Sequence, residues 1–181
     1  MKDATGLAAT CAGVFLALLL QQALPASQVL HGARLVLVPT IFCLAAMSLP
    51  FPLMLAAAFI TGFLCDLAYL HIVGGRVEIA MGWSIVFFVI YGSIANGFRP
   101  SYRLGHWWPV VPVAALGTSS FLLMQFLMIT LRREGFEFHT DVLWRVFAPG
   151  LLAAVFAPAL YLAVRPFSAM LPQGLARGRG Y

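Results

Sequence analysis

Six apolar stretches, set apart by short segments rich in Pro, Gly and Arg, constrain this chain more than any other feature. They are residues 6–24, 35–49, 53–73, 79–97, 109–131 and 146–164. A helix needs about 20 mostly apolar residues to cross the roughly 30 Å hydrocarbon core of a bilayer. Within that core every backbone N–H and C=O must be satisfied inside the protein, so spanning segments are helices or closed barrels. The chain is 62% hydrophobic and 9% charged, where a soluble domain is about one quarter charged. The fold expected is therefore all-α: a polytopic integral membrane protein of about six transmembrane helices in a compact bundle. Residues 1–181 form a single transmembrane domain, ending in a short basic tail at 165–181. No length remains for a separate soluble domain.

Segment 35–49 fits the pattern least well, being short and interrupted by Pro39. It reads either as a short tilted helix or as half of a re-entrant pair with the next segment. Both readings keep the termini on one face. With the termini inside, the cytoplasmic cations are Lys2, Arg99, Arg103, Arg165, Arg177 and Arg179, against Arg34, Arg76, Arg132, Arg133 and Arg145 outside. These sets barely differ in size. The acid-free tail and the Arg99/Arg103 connector give the expectation of cytoplasmic termini. Trp107, Trp108 and Trp144 stand at span ends, where interfacial aromatics belong.

The N-terminus mimics a secretory leader, with Lys2, an apolar run from Leu7 to Leu20 and then Ala23-Leu24-Pro25-Ala26-Ser27. Asp3 and the misplaced Leu24 argue instead for retention as a first membrane helix. The basic residues suit anionic headgroups and topology, and no foldable basic surface for nucleic acid is present. Cys11, Cys43 and Cys65 lie in apolar runs and read as small hydrophobes. No two cysteines and no two histidines stand at ligand spacing, so neither a metal nor a cofactor is expected. The sequence holds no nucleophile elbow, Walker loop, dinucleotide fingerprint or zincin helix. The expectation is a protein without catalytic residues.

Asp66 is the exception in this apolar chain. It sits within Thr61-Gly62-Phe63-Leu64-Cys65-Asp66-Leu67, at a cost of about 2.5–3.5 kcal/mol on insertion scales. In the six-helix layout Gln21, Gln22, Gln125 and Ser84 fall on the same side of the midplane, and Arg76 could snorkel toward Asp66. Two readings stand open. The cluster is a polar lock between helices, with a protonated Asp66 bonded to an amide, or it is a ligand or proton site.

Small residues four apart mark faces where helices approach closely. Ala58 and Gly62 do so in the third stretch, Gly92 with Asn96 and Ser93 with Gly97 in the fourth, and Ala153 with Ala157 in the sixth. Gly62, Gly92, Asn96, Ser93 and Gly97 are the candidate packing or partner face. Pro149 and Pro158 are expected to kink the last helix.

Gly62-Phe63-Leu64-Cys65-Asp66-Leu67 is followed by a glycine-bearing turn, and Met81-Gly82-Trp83-Ser84 leads to Tyr91-Gly92-Ser93-Ile94-Ala95-Asn96-Gly97-Phe98-Arg99-Pro100. With these motifs the layout resembles the MreD family of bacterial rod shape-determining membrane proteins. The resemblance covers roughly Val36 to Val164; the long stretch between Asp66 and the fourth helix departs from it. The resemblance implies a scaffold in the bacterial inner membrane, within lipid, beside a bitopic MreC-like protein. That scaffold would support the elongation complex that builds the cell wall, with its MreB filament, polymerase and transpeptidase. The family also resembles in fold the substrate-binding subunits of energy-coupling-factor vitamin transporters. The competing expectation is such a subunit, with an outward pocket at the Asp66 cluster. A lipid- or phosphate-processing enzyme would need a second acid or a basic triad at that depth, and ranks last.

Overall fold

The computed structural model describes residues 2–23, 36–69, 72–73, 76–77, 82–132 and 140–169. The segments around Pro25 to Arg34, Glu78 and Arg133 to His139, and the tail beyond Ala169, lie outside these residues, as do the side chains of Arg76 and Arg165.

Among the described residues seven helices form, in the order α1 (Lys2–Ala23), α2 (Val38–Ser48), α3 (Phe51–Ala68), α4 (Trp83–Gly97), α5 (Arg99–Arg103), α6 (Val110–Arg132) and α7 (Thr140–Ala169). A two-stranded antiparallel ribbon, β1 (Ile72–Val73) and β2 (Arg76–Val77), joins α3 to α4. Among the described residues four helices are long and apolar enough to cross a membrane: Thr5–Ala23, Phe51–Ala68, Val110–Leu131 and Val142–Ala163. The architecture is an all-α, membrane-embedded bundle. In each of these helices the smaller share is enclosed: 22–39% of the apolar window is buried within the protein. The outward set includes Leu16, Leu116, Leu151 and Val155, as lipid contact requires.

The remaining two apolar stretches are shorter than the sequence led us to expect. α2 has 11 residues and α4 has 15, which at 1.5 Å per residue is about 16 and 22 Å. Pro39 does not interrupt α2. It stands in the first turn, where its missing N–H is no loss. The third stretch ends as a helix at Ala68 rather than running to Val73, because Ile72 and Val73 pair with Val77 and Arg76 in the ribbon. The connector after α4 is not simple loop; Arg99–Arg103 is a helical turn. α7 runs unbroken through Pro149 and Pro158 and takes in residues 165–169.

The core is built around the short apolar helix α2. α2 is apolar all round, and nine of its 11 residues are buried. That is the signature of a helix surrounded by protein. It packs against α1, α3, α4, α5, α6 and α7. Phe42 at its centre meets Phe88 edge-on, with ring centroids 5.0 Å apart. Phe88 and Phe87 of α4 continue to Phe121 of α6 at 5.4 and 5.2 Å. These offset and T-shaped contacts are the favoured aromatic geometries.

Side-chain contacts fix the relative ends. Gly6 lies against Leu49, and Gly62 lies against Ile85. Tyr161 bonds Gly105. The start of α1, the ends of α2 and α4, α5 and the end of α7 therefore share one end of the bundle. The opposite end carries the ribbon, the end of α3 and the start of α4.

Candidate functional site

Asp66 is buried, at 5% exposure, three residues before the C-cap of α3. Its carboxylate meets the beginning of α4: Oδ2 accepts the Gly82 N–H at 2.6 Å and Oδ1 accepts the Ser84 N–H at 3.3 Å. The first turn of a helix has four N–H groups with no partner inside the helix, and carries the positive end of the macrodipole. Asp66 is thus an N-cap supplied from a neighbouring helix rather than from the chain just before α4. Local sequence explains why. Gly82 occupies the N-cap position with φ +98° and has no side chain to offer. That backbone conformation is open to glycine and strained for residues with a Cβ.

Gln21 does the same for α2. Its amide lies 3.2 Å from Tyr69 Oη. With Oε1 turned toward α2, the orientation its neighbours' donors require, it accepts from the Val38 N–H at 3.0 Å and from the Leu37 N–H. Leu37 at the N-cap of α2 makes no side-chain cap of its own. At the other end of α2, Asn96 Nδ2 donates to Ala46 O at 2.6 Å and Leu49 O at 3.0 Å. Three amide or carboxylate side chains thus each brace the end of a short helix across an interhelical gap. Where no water reaches, an unmet backbone group costs about 1–3 kcal/mol. The bracing lets α2 and α4 start and stop inside the bundle.

The other candidate residues divide. Ser84 contributes its backbone N–H to Asp66. With Trp83, Phe87, Phe121, Met124 and Gln125 it also lines a cleft between α4 and α6. The cleft's cavity volume is about 10 Å³, about the room of one water and far below the roughly 300–1,000 Å³ of small-molecule pockets. Gln125 is half-buried and borders the cleft, whereas Gln22 is exposed on α1. Asp66 and Ser84 touch; Gln21 meets Tyr69 instead, whose ring stands 6.3 Å from that of Phe121.

The candidate packing face splits in two. A Cβ on Gly62 would strike Ile85, coming within 2.6 Å of its backbone N, and one on Gly92 would fall 2.6 Å from Met54 Sδ and 2.9 Å from Phe42. Gly62, Gly92 and Asn96 therefore serve contacts within this chain. Ser93 and Gly97 are exposed beside Ile90 and Ile94, with Ser93 Oγ bonded to Val89 O at 2.7 Å. Ala58, Ala153 and Ala157 are buried.

Sequence reasoning missed the two tyrosines. Tyr91 Oη lies within hydrogen-bond reach of Val113 O, at 3.1 Å, and Pro39 O, at 3.3 Å, linking α4 to α6 and α2. Tyr69 follows Asp66 by three residues, one turn along the same face, and that spacing was the available signal. Among the described residues no three His, Cys, Asp or Glu side chains come together as a metal site would need. No family model matches the chain, and no curated protein or solved structure matches it either.

Proposed function

We propose that this protein is a non-catalytic scaffold of the bacterial cell-wall elongation machinery. It would sit in the cytoplasmic membrane with both termini in the cytoplasm, holding a bitopic MreC-like partner and, through it, the wall-synthesis enzymes. The observation that carries the reading is the occupation of Asp66. In a transporter subunit this carboxylate would be the first candidate to meet a solute or a proton. Here both its oxygens accept backbone N–H groups of α4. Gln21 and Asn96 are likewise spent on helix ends. The polar groups thus support the rigidity of the bundle, and a scaffold needs a rigid outer face offering side-by-side helix contacts. The outward part of the fourth-helix face, Ser93 and Gly97, is the part free to meet another helix.

Affinity capture from gently solubilised membranes tests this. The tagged parent is compared with Asp66→Asn and with Ser93→Leu/Gly97→Leu. Gly92→Leu is unsuitable, because the new side chain would drive into Met54 and Phe42. The expected result is an MreC-like bitopic protein with wall-synthesis enzymes captured by the parent and by Asp66→Asn, and lost with the double variant. Recovery of ATPase subunits, or of a small molecule that disappears with Asp66→Asn, would sink the scaffold reading in favour of a vitamin-type transporter subunit.

A further inference from the structure

The connector between α4 and α6 has a composition that the bundle does not use. Leu104 is 77% exposed, and Trp107 and Trp108 are 53% and 58% exposed. Arg103 and His106 beside them are exposed as well. No Asp or Glu occurs between Ile79 and Arg133, so this end carries positive charge with no acid from its own stretch to balance it.

The connector is also held in shape. Tyr102 is buried and meets Tyr161 of α7 edge-on, with centroids 5.5 Å apart. Tyr161 Oη donates to Gly105 O at 3.2 Å. Gly105 turns the chain at φ +84°. The Gly105 and His106 N–H groups close back on Tyr102 O at 3.0 Å and Ser101 O at 3.2 Å. Pro109 is buried at the far end. The apolar side chains are therefore presented outward by a fixed turn, and little ordering remains to be done on binding.

We propose that this connector is a binding site for anionic phospholipid. The Arg103 guanidinium meets the headgroup phosphate, and Leu104, Trp107 and Trp108 sit in the interface beneath it. Trp and Leu at the end of a bundle match the headgroup–acyl boundary, where amphipathic rings are favoured. The planar guanidinium fork matches a phosphate's geometry. Charge complementarity selects a lipid of net negative charge over a zwitterionic one, by about fivefold per basic residue near the surface.

The test uses the full chain reconstituted in phosphatidylcholine vesicles with a minor share of the lipid replaced by phosphatidylglycerol. After mild detergent extraction, the lipids retained on the protein are measured by mass spectrometry. The parent should be enriched in phosphatidylglycerol. Arg103→Gln should cut that enrichment about fivefold, and Arg103→Lys, which keeps the charge but loses the planar fork, should fall between Arg103→Gln and the parent. Arg145→Gln, an exposed arginine at the opposite end of the bundle, should leave it unchanged. Enrichment that survives Arg103→Gln, or that falls equally with Arg145→Gln, overturns the proposal.

Discussion

Replacing Asp66 by alanine takes both acceptors away from the first turn of α4. The 2.6 Å bond from Gly82 is short and charge-assisted, while the 3.3 Å bond from Ser84 is long and counts for less. A charge-assisted bond contributes about 1.5–3 kcal/mol, and at 5% exposure no water replaces it. Against that loss stands the gain from no longer burying a charge. The net expectation for Asp66→Ala is about 1–2 kcal/mol of destabilisation, the upper part of the range for lost N-caps. Asp66→Asn keeps an oxygen for Gly82 and should stay within about 1 kcal/mol of the parent, by the same capping preferences. If the carboxylate had no capping role, both variants would be neutral or stabilising, because each removes a charge costing about 2.5–3.5 kcal/mol to insert. The sign therefore decides. Unfolding in mixed micelles with increasing SDS, followed by far-UV circular dichroism, gives the stability difference. Amide exchange at Gly82 and Ser84 reports the cap directly and should rise about tenfold in Asp66→Ala, since 1.4 kcal/mol is a factor of ten in an opening equilibrium. An alanine variant as stable as the parent, with unchanged exchange at those two amides, refutes the argument.

The other expectations follow from the same contacts. Gly62→Ala should destabilise by about 1–3 kcal/mol, because its methyl meets the backbone of Ile85, which cannot move aside as a flexible side chain would. Gly97→Ala, with nothing within 4 Å, should be neutral or stabilising by up to about 1 kcal/mol; the same SDS titration measures both, and equal costs would contradict the packing. Asn96→Leu leaves the Ala46 and Leu49 carbonyls at the end of α2 unmet and should cost about 1–3 kcal/mol. Combining it with Gln21→Leu in a double-mutant cycle should show coupling through the shared short helix, and strict additivity would argue against α2 acting as one braced unit. Thr40 Oγ1 is fully buried with no hydrogen-bond partner, so Thr40→Val should leave stability unchanged or raise it by about 1 kcal/mol; a clear loss in the SDS titration would mean that the hydroxyl has a partner.

Hydropathy marked six spans, and among the described residues four helices are long enough to cross a membrane while two are shorter. It marked 35–49 and 79–97 as spans, and helices stand there as α2 (Val38–Ser48) and α4 (Trp83–Gly97). Apolarity says that a segment leaves water, yet it does not separate a segment facing lipid from one surrounded by protein. α2, the stretch that fitted worst as a span, is the most enclosed. The same ambiguity touched the small residues. Spacing of four marks a close-approach face, but whether that face meets this chain or another depends on a rotation about the helix axis that spacing leaves free. In α4 the turn from Gly92 to Ser93 carries the chain from the Met54–Phe42 contact to the exposed side.

The sequence by itself determined the solvent and the element type. Its long apolar stretches and few charges admit little but membrane helices, since lipid supplies no hydrogen bonds to an unpaired backbone. It also singled out Asp66 as a group needing compensation, because the cost of burial depends on residue type and depth alone. What compensates Asp66 was decided by tertiary structure. The partners are two backbone N–H groups 16 and 18 residues away, and the backbone is the same at every position. A side chain advertises its chemistry in the sequence, whereas an unmet helix end exists only where the fold stops a helix and turns it toward a neighbour.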